Sequence, residues 1–292
     1  MANTQRKPRL EALLLACALP VLGVSLVRGG EPAPGRTLRY KLTWTSSTTF
    51  VLQNMKQESL ASTSIVYARE ERPSGVAVSI EDMHVRSTAN GKVTFDVRMG
   101  KDGLWAPGPD GALQKAPPEQ LGPVEKDLLQ NGFGMPFLWL ETDATGKELS
   151  RKVSESEAAK LFLENGMDAN CTLFHAPFDA ALKTWKTPVT YKMSGGGKAV
   201  GEFGYTLQET EKGESNVEVE GQLKAAEIDV GDPNTSARNF VFTGKGKQAF
   251  DTQRGHWTRG QIKGPLSMDF IANGQKAFTM EGTLEFNLEL LP

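Results

Sequence analysis

The segment Phe278–Leu290, with the sequence FTMEGTLEFNLEL, carries the pattern that decides the fold. Its apolar residues recur at alternate positions, and polar residues fill most of the positions between them. This alternation is typical of a β-strand with one buried face and one solvated face. The segment would extend roughly 40 Å at about 3.3 Å per residue, which is about twice the length of an ordinary strand. A strand of this kind predicts a broad antiparallel sheet whose apolar face must be covered.

The same alternation recurs on both sides of this segment and predicts further long strands. The segments that show it are Leu38–Trp44, Val76–Val85, Val93–Met99, Val189–Met193, Phe203–Leu207, Val217–Ala225 and Leu266–Phe270. Asn90-Gly91 and Asn273-Gly274 are strong signals for two-residue hairpin turns between such strands. The alternation slips by one residue at Glu81-Asp82, which predicts a β-bulge.

Helical patterns are confined to the middle of the chain. One helix is predicted over residues 119–131, a second after the capping-box pattern Ser154-x-x-Glu157, and a third short one around Phe178–Trp185. We therefore predict a mainly β (α+β) fold, with long antiparallel strands in a strongly curved sheet or half-barrel. Two or three short helices would cover the concave face.

One large β-rich domain is expected over residues 37–292. It would consist of two meanders, 37–100 and 187–291, joined by a helical insert at 117–186. Residues 1–30 are interpreted as a signal peptide or N-terminal anchor, with residues 31–36 as a linker.

The N-terminal segment predicts export to the periplasm, the outer envelope or the extracellular space. Arg6, Lys7 and Arg9 precede the apolar run at residues 12–27, as in a signal peptide. The run is slightly short for a membrane span, and Pro20 interrupts it. Cleavage, retention as an anchor and lipidation at Cys17 all remain open. Membrane association is expected only through this segment, if it is retained.

Composition and motifs point away from nucleic-acid binding, metal binding and a recognisable active site. The net charge is −2 for the full chain and −5 without residues 1–30, and a mildly acidic chain argues against nucleic-acid binding. His84, His175 and His256 are far apart in the sequence, and none has a second ligand at metal-binding spacing. Cys171 has no histidine or other base near it at a recognisable catalytic spacing. No catalytic residue, metal ligand or cofactor is predicted, although a hydrolase site scattered over loops remains an alternative.

The apolar strand faces are the remaining functional candidates. The proposed ligand-contacting residues are Tyr40, Trp44, Phe95, Phe203, Phe270, Phe278, Met280 and Phe286. An incompletely covered face would bind a lipid or another apolar small molecule. In that case Gly282→Trp should block loading without unfolding the protein. The alternative is a fully packed core in a structural or interaction module on the cell surface, with other envelope proteins as partners.

The opening strand and the order of elements carry a family resemblance. Residues 35–42 read GRTLRYKL, and a meander, a helical insert and a second meander follow. From residue 36 to 290 the chain resembles the LolA/LppX-type lipoprotein carriers, and its opening resembles the N-terminal β-domain of vitellogenin-like lipid-transfer proteins. The resemblance implies a half-barrel that shelters an acyl chain under helices. The chain is longer than LolA-type carriers, and no functional residue is transferred.

Overall fold

One antiparallel sheet of 14 strands dominates the computed structural model. The structure describes residues 35–52, 55–142, 148–156, 158–159, 162, 174–175, 178, 181–192, 198–232 and 234–292. The sheet is curved and does not close on itself, so the predicted mainly β fold with long antiparallel strands is confirmed. Residues 1–30 and their predicted role in export lie outside the described residues.

Eight of the strands contain 14 or more residues and form the body of the sheet. The first six strands are β1 (Thr37–Leu52), β2 (Met55–Arg72), β3 (Gly75–Ala89), β4 (Lys92–Gly100), β5 (Gly103–Pro107) and β6 (Leu113–Lys115). The next four are β7 (Pro136–Thr142), β8 (Glu148–Val153), β9 (Thr184–Lys192) and β10 (Lys198–Glu211). The last four are β11 (Glu214–Asp232), β12 (Thr235–Asp251), β13 (His256–Ala272) and β14 (Gln275–Leu290).

The strand order follows the chain within each half of the sheet. It reads β6-β5-β4-β3-β2-β1-β14-β13-β12-β11-β10-β9, with β7 paired to both β3 and β8. The two halves join where β1 pairs with β14, from Tyr40 opposite Leu290 to Phe50 opposite Met280.

The predicted turns and the predicted bulge are confirmed. Asn90 and Gly91 have φ angles of 49° and 75°, and Asn273 and Gly274 have 50° and 76°. Both pairs are two-residue turns in the left-handed conformation that the right-handed twist of paired strands favours. Between β2 and β3 the register shifts at Val66 and Tyr67, which leaves Glu81 as the extra residue of a bulge.

The described residues of the insert contain less helix than predicted. A 3₁₀ turn at Pro118–Gln120 precedes helix α1 (Pro123–Asp127), which continues as a π-turn over Leu128–Gly132. The predicted helix of residues 119–131 therefore begins late, because Pro123 suits the first helical position and lacks the N–H needed further inside. Its predicted end at Gly132 is confirmed.

Of the two further helices predicted for the insert, the described residues support one and contradict the other. Residues 158, 159 and 162 are helical, as predicted. The Oγ of Ser154 accepts from the backbone N–H of Ser156, and the Oγ of Ser156 accepts from that of Ala159, whereas Glu157 of the predicted capping box lies outside the described residues. The third predicted helix fails because Trp185 lies in β9, where its ring stacks on Tyr205 of β10 at 5.4 Å. Strands β7 and β8, which also lie in this region, were not predicted.

Several strands approach too closely at glycines for any other residue to fit. A Cβ on Gly264 would lie 1.7 Å from the carbonyl oxygen of Thr243 in β12. A Cβ on Gly282 would lie 2.1 Å from the carbonyl oxygen of Ser47 in β1. The predicted tolerance of Gly282→Trp is therefore wrong, because the new side chain would collide with the neighbouring strand before it reached any ligand.

Candidate functional site

The eight predicted ligand-contacting residues all lie on one face of the sheet, which we call the apolar face. Trp44 of β1 is directly opposite Phe286 of β14, and Phe270 of β13 is opposite Phe278 of β14. Tyr40 and Met280 share this face by the two-residue alternation of their strands. The register therefore gathers six of the eight residues on three adjoining strands.

The other two residues lie farther away on the same face. Phe203 is on β10, opposite Gly221 of β11. Phe95 is on β4, opposite Ser87 of β3. The sequence pattern identified the correct face of these strands, but it could not show that they lie several strands from β1 and β14.

Burial divides the predicted residues into two classes. Tyr40, Trp44, Phe203 and Phe286 are at most 5% exposed and belong to the packed core. Phe95, Phe270, Phe278 and Met280 are only partly buried. Only the second class offers surface that a ligand can reach in this conformation.

A row of stacked aromatic rings lies at the less buried end of the apolar face. Phe50 stacks on Phe278 with ring centroids 4.8 Å apart, and Phe278 stacks on Phe270 at 4.7 Å. We call these three residues the aromatic row. It lies near the hairpin tips that join β1 to β2 and β13 to β14. Phe50 was missed in the sequence because the serines and threonines before it obscure the alternation of β1.

Residues of the insert cover the opposite end of the apolar face. Phe178 stacks on Phe250 of β12 at 4.1 Å and meets Trp257 of β13 edge-on. Phe174 is fully buried against Gly260 of β13. We call the described residues 174, 175 and 178 the cover segment. It closes the end of the face at which β1 begins.

A buried polar contact fixes the cover segment to the sheet. The hydroxyl of Tyr67 in β2 lies 2.7 Å from Nε2 of His175, and the ring of Tyr40 packs against the same imidazole at 4.8 Å. Burial, followed by the nearby charge of Arg69, holds the pKa of His175 well below its usual value of 6.5. His175 is therefore neutral at pH 7 and serves as a hydrogen-bonding anchor.

Charged side chains lie near His175, which nevertheless stays buried. Arg69 pairs with the buried Glu71 at 3.0 Å, and Arg36 lies 3.0 Å from Nδ1 of His256. Burial also lowers the pKa of His256. This polar cluster lies at the covered end, away from the aromatic row, and its role is to hold the cover segment on the sheet. We call the hydrogen-bonded pair of His175 and Tyr67 within it the polar clasp.

The solvated face carries paired charges. Its groove of about 600 Å³ is lined by residues that include Glu218, Glu220 and Lys245. Lys245 and Glu220 form an ion pair at 3.1 Å, and both side chains are at least 70% exposed. Exposed pairs of this kind contribute little to binding or stability, so the groove is a weaker candidate site than the apolar face.

The described residues offer neither a metal site nor a membrane-spanning helix. No three His, Cys, Asp or Glu side chains in this part of the chain are grouped to hold a metal ion. No helix among the described residues is long and apolar enough to cross a membrane.

Comparison with known proteins shows no established relative. No family model matches the chain, and no curated protein matches it. Among solved structures, one titled "Lipid-protein interactions in lipovitellin" aligns at 9% identity with a TM-score of 0.48. That alignment covers 89% of this chain and 25% of the lipovitellin chain, so this protein spans a quarter of that structure's length.

Two bacterial structures align more weakly. Pseudomonas aeruginosa OccK5 aligns at 7% identity and a TM-score of 0.25, over 90% of this chain and 100% of that one. A BenF-like porin from Pseudomonas fluorescens aligns at 7% identity and 0.19, with the same coverage. Similarities at these levels establish no common function. The resemblance to LolA/LppX-type carriers stays a prediction.

Proposed function

We propose that the protein is an exported, non-catalytic component of the cell envelope that binds a lipid or another apolar ligand on its apolar face. The observation that supports this proposal is the partly exposed aromatic row of Phe50, Phe278 and Phe270 at the less buried end of that face. Export is proposed from the N-terminal sequence alone.

Burial of the ligand chain would supply the binding energy. A 16-carbon chain buried at about 0.8 kcal/mol per methylene gains on the order of 10 kcal/mol before ordering costs are subtracted. Stacked aromatic rings offer a flat apolar surface of low conformational entropy for such a chain. The polar clasp at His175 would hold the other end of the face closed while the ligand binds.

A surface interaction module is the second candidate. It is favoured by the exposed apolar residues Val51, Met55 and Leu60, which are 56%, 59% and 44% exposed near the tip of the β1–β2 hairpin. The complete burial of Tyr40 and Phe203 also agrees with a packed core. In that case the aromatic row would contact a protein and not a lipid.

Ligand capture separates the two candidates. Protein purified without detergent is analysed by native mass spectrometry and then titrated with the neutral fluorescent dye Nile red. The proposal predicts a lipid-sized mass that organic extraction removes, and dye binding that Phe278→Ser weakens. The matched control is Val200→Ser, since Val200 is 53% exposed on the opposite face of β10. A bare mass and no dye binding would contradict the lipid proposal and favour the interaction module.

A further inference from the structure

Small hydroxyl residues interrupt the apolar face on β1, β2 and β3. Ser46 of β1 is opposite Ala61 of β2, which is opposite Ser87 of β3. Thr48 of β1 and Thr63 of β2 lie on the same face, in the cross-strand pairs on either side of the Ser46–Ala61 pair. We call Ser46, Thr48, Thr63 and Ser87 the hydroxyl patch. Their exposures are 5%, 5%, 2% and 7%, so all four are buried.

Ser87 lacks the hydrogen bond that a buried hydroxyl needs. Its side chain is 93% buried, and its Oγ has no partner among the described residues. The backbone carbonyl of Ser87 is used separately, since it accepts from Thr94. Buried polar groups in proteins are nearly always paired, because an unmade bond forfeits hydration without compensation. The unpaired Oγ lies on the apolar face but is itself buried, so a ligand group that displaced the side chains over it would supply the missing hydrogen bond.

The described strand residues around the hydroxyl patch offer no charged partner to a ligand group. On the apolar face no residue of β1 from Leu38 to Phe50 is charged, and neither is any described residue of β2 from Gln57 to Tyr67. The facing residues of β14, from Phe278 to Leu290, are likewise uncharged. A buried carboxylate or phosphate without a cation would be costly, whereas an ester or an alcohol needs only hydroxyl partners.

The hydroxyl patch and the aromatic row are neighbours. Thr48 is two residues before Phe50 on β1, so both side chains lie on the same face. Thr48 is also opposite Gly282, which follows Phe278 and Met280 on the same face of β14. A polar group at the hydroxyl patch would leave the attached chain free to lie along the aromatic row.

We propose that the hydroxyl patch binds the uncharged ester or alcohol group of an acyl lipid whose chain lies against Phe50, Phe278 and Phe270. The inference rests on the proposed function and adds the chemical class of the ligand. Neutral acyl esters bind in preference to free fatty acids of the same length, and hydroxyls of the patch supply the preference over a plain alkane.

The test is a displacement series with ligands of equal chain length. Nile red bound to the full chain is displaced at about pH 8 with methyl palmitate, palmitate or hexadecane, each delivered from cyclodextrin. Methyl palmitate should displace the dye at concentrations about tenfold or more below those of palmitate. Ser87→Ala and Thr63→Val should each weaken methyl palmitate about three- to tenfold, as expected for one lost hydrogen bond, and leave hexadecane unchanged.

Ser64→Ala and Thr43→Val are the matched controls, because Thr43 and Ser64 are opposite each other on the solvated face of β1 and β2. These controls should displace like wild type. Equal displacement by all three ligands, or equal loss for both sets of variants, would overturn this inference and leave the lipid proposal intact. A preference for palmitate would overturn the predicted neutrality of the ligand. Absence of dye binding would contradict the proposed function itself.

Discussion

Acidification should weaken the attachment of the cover segment through His175, and the variant His175→Gln should remove this effect. His175 accepts or donates a hydrogen bond at Tyr67, packs against Tyr40 and faces the charges of Arg69 and His256. Burial and these neighbours hold its pKa well below 6.5 in the folded protein. In the unfolded chain the imidazole is solvated and titrates near its usual pKa.

The size and sign of the effect follow from this difference in pKa. Below about pH 6.5 the unfolded chain binds a proton at His175 that the folded protein does not bind, so the free energy of unfolding falls as pH falls. The slope approaches about 1.4 kcal/mol per pH unit for one proton. Between about pH 7.5 and pH 5.5 this residue should therefore remove about 1.4 kcal/mol of stability. The loss stops only when the pH reaches the folded-state pKa.

Urea unfolding of wild type and His175→Gln at the two pH values measures the effect. Carboxylates and His256 titrate in both proteins, so subtracting the two pH dependences isolates His175. Wild type should lose about 1.4 kcal/mol more than the variant on acidification. Equal losses in the two proteins would show that His175 is not held neutral in the fold, and the reasoning about the clasp would be refuted.

Three further predictions concern packing around the apolar face. Tyr67→Phe should lower the free energy of unfolding by about 1–3 kcal/mol, because it removes the partner of a buried imidazole. Tyr40→Phe should leave the free energy of unfolding unchanged or raise it slightly, since the buried hydroxyl of Tyr40 has no partner among the described residues. Urea titration at neutral pH compares the two variants. Phe178→Ala should lower the free energy of unfolding by about 3–5 kcal/mol, measured in the same way. A change near zero would show that the cover segment does not pack on the sheet. Gly264→Ala should lower the free energy of unfolding by more than about 3 kcal/mol or prevent folding. Gly204→Ala, whose Cβ would meet nothing closer than 3.7 Å, should leave the protein as stable as wild type or more stable. Circular dichroism melting compares the two variants.

The long strands of the second half could be predicted because their core positions hold large apolar residues. In β14 the inward positions carry phenylalanine, methionine and leucine almost without interruption, so the alternation is visible in one dimension. The Asn-Gly turns and the bulge at Glu81 are also local signals. Each of these features is decided by neighbours in the chain, which is why the sequence pattern was sufficient.

The missed elements lie where that local signal is weak. Strand β2 was not recognised because Ser59, Ala61 and Thr63 occupy its inward positions, and small polar residues hide the alternation. Strand β7 was missed because Phe137 and Leu138 are both buried, so consecutive residues are apolar and the two-residue period disappears. The hydroxyl patch was missed for the same reason as β2. Only cross-strand register shows that Ser46, Ala61 and Ser87 form one row.

The joint between β1 and β14 has a consequence for how the protein is made. These strands are the first and last of the sheet in sequence, and 11 residue pairs from Tyr40–Leu290 to Phe50–Met280 depend on their meeting. While β14 is still being synthesised, β1 presents a long unpaired edge next to an apolar surface, which is a template for aggregation. Joining the two meanders also closes a loop of nearly the whole domain, the slowest kind of contact to form. We therefore expect this edge to stay exposed until the final strand is complete, and a holding chaperone should bind the incomplete chain far longer than it would bind a protein of equal size built from local contacts.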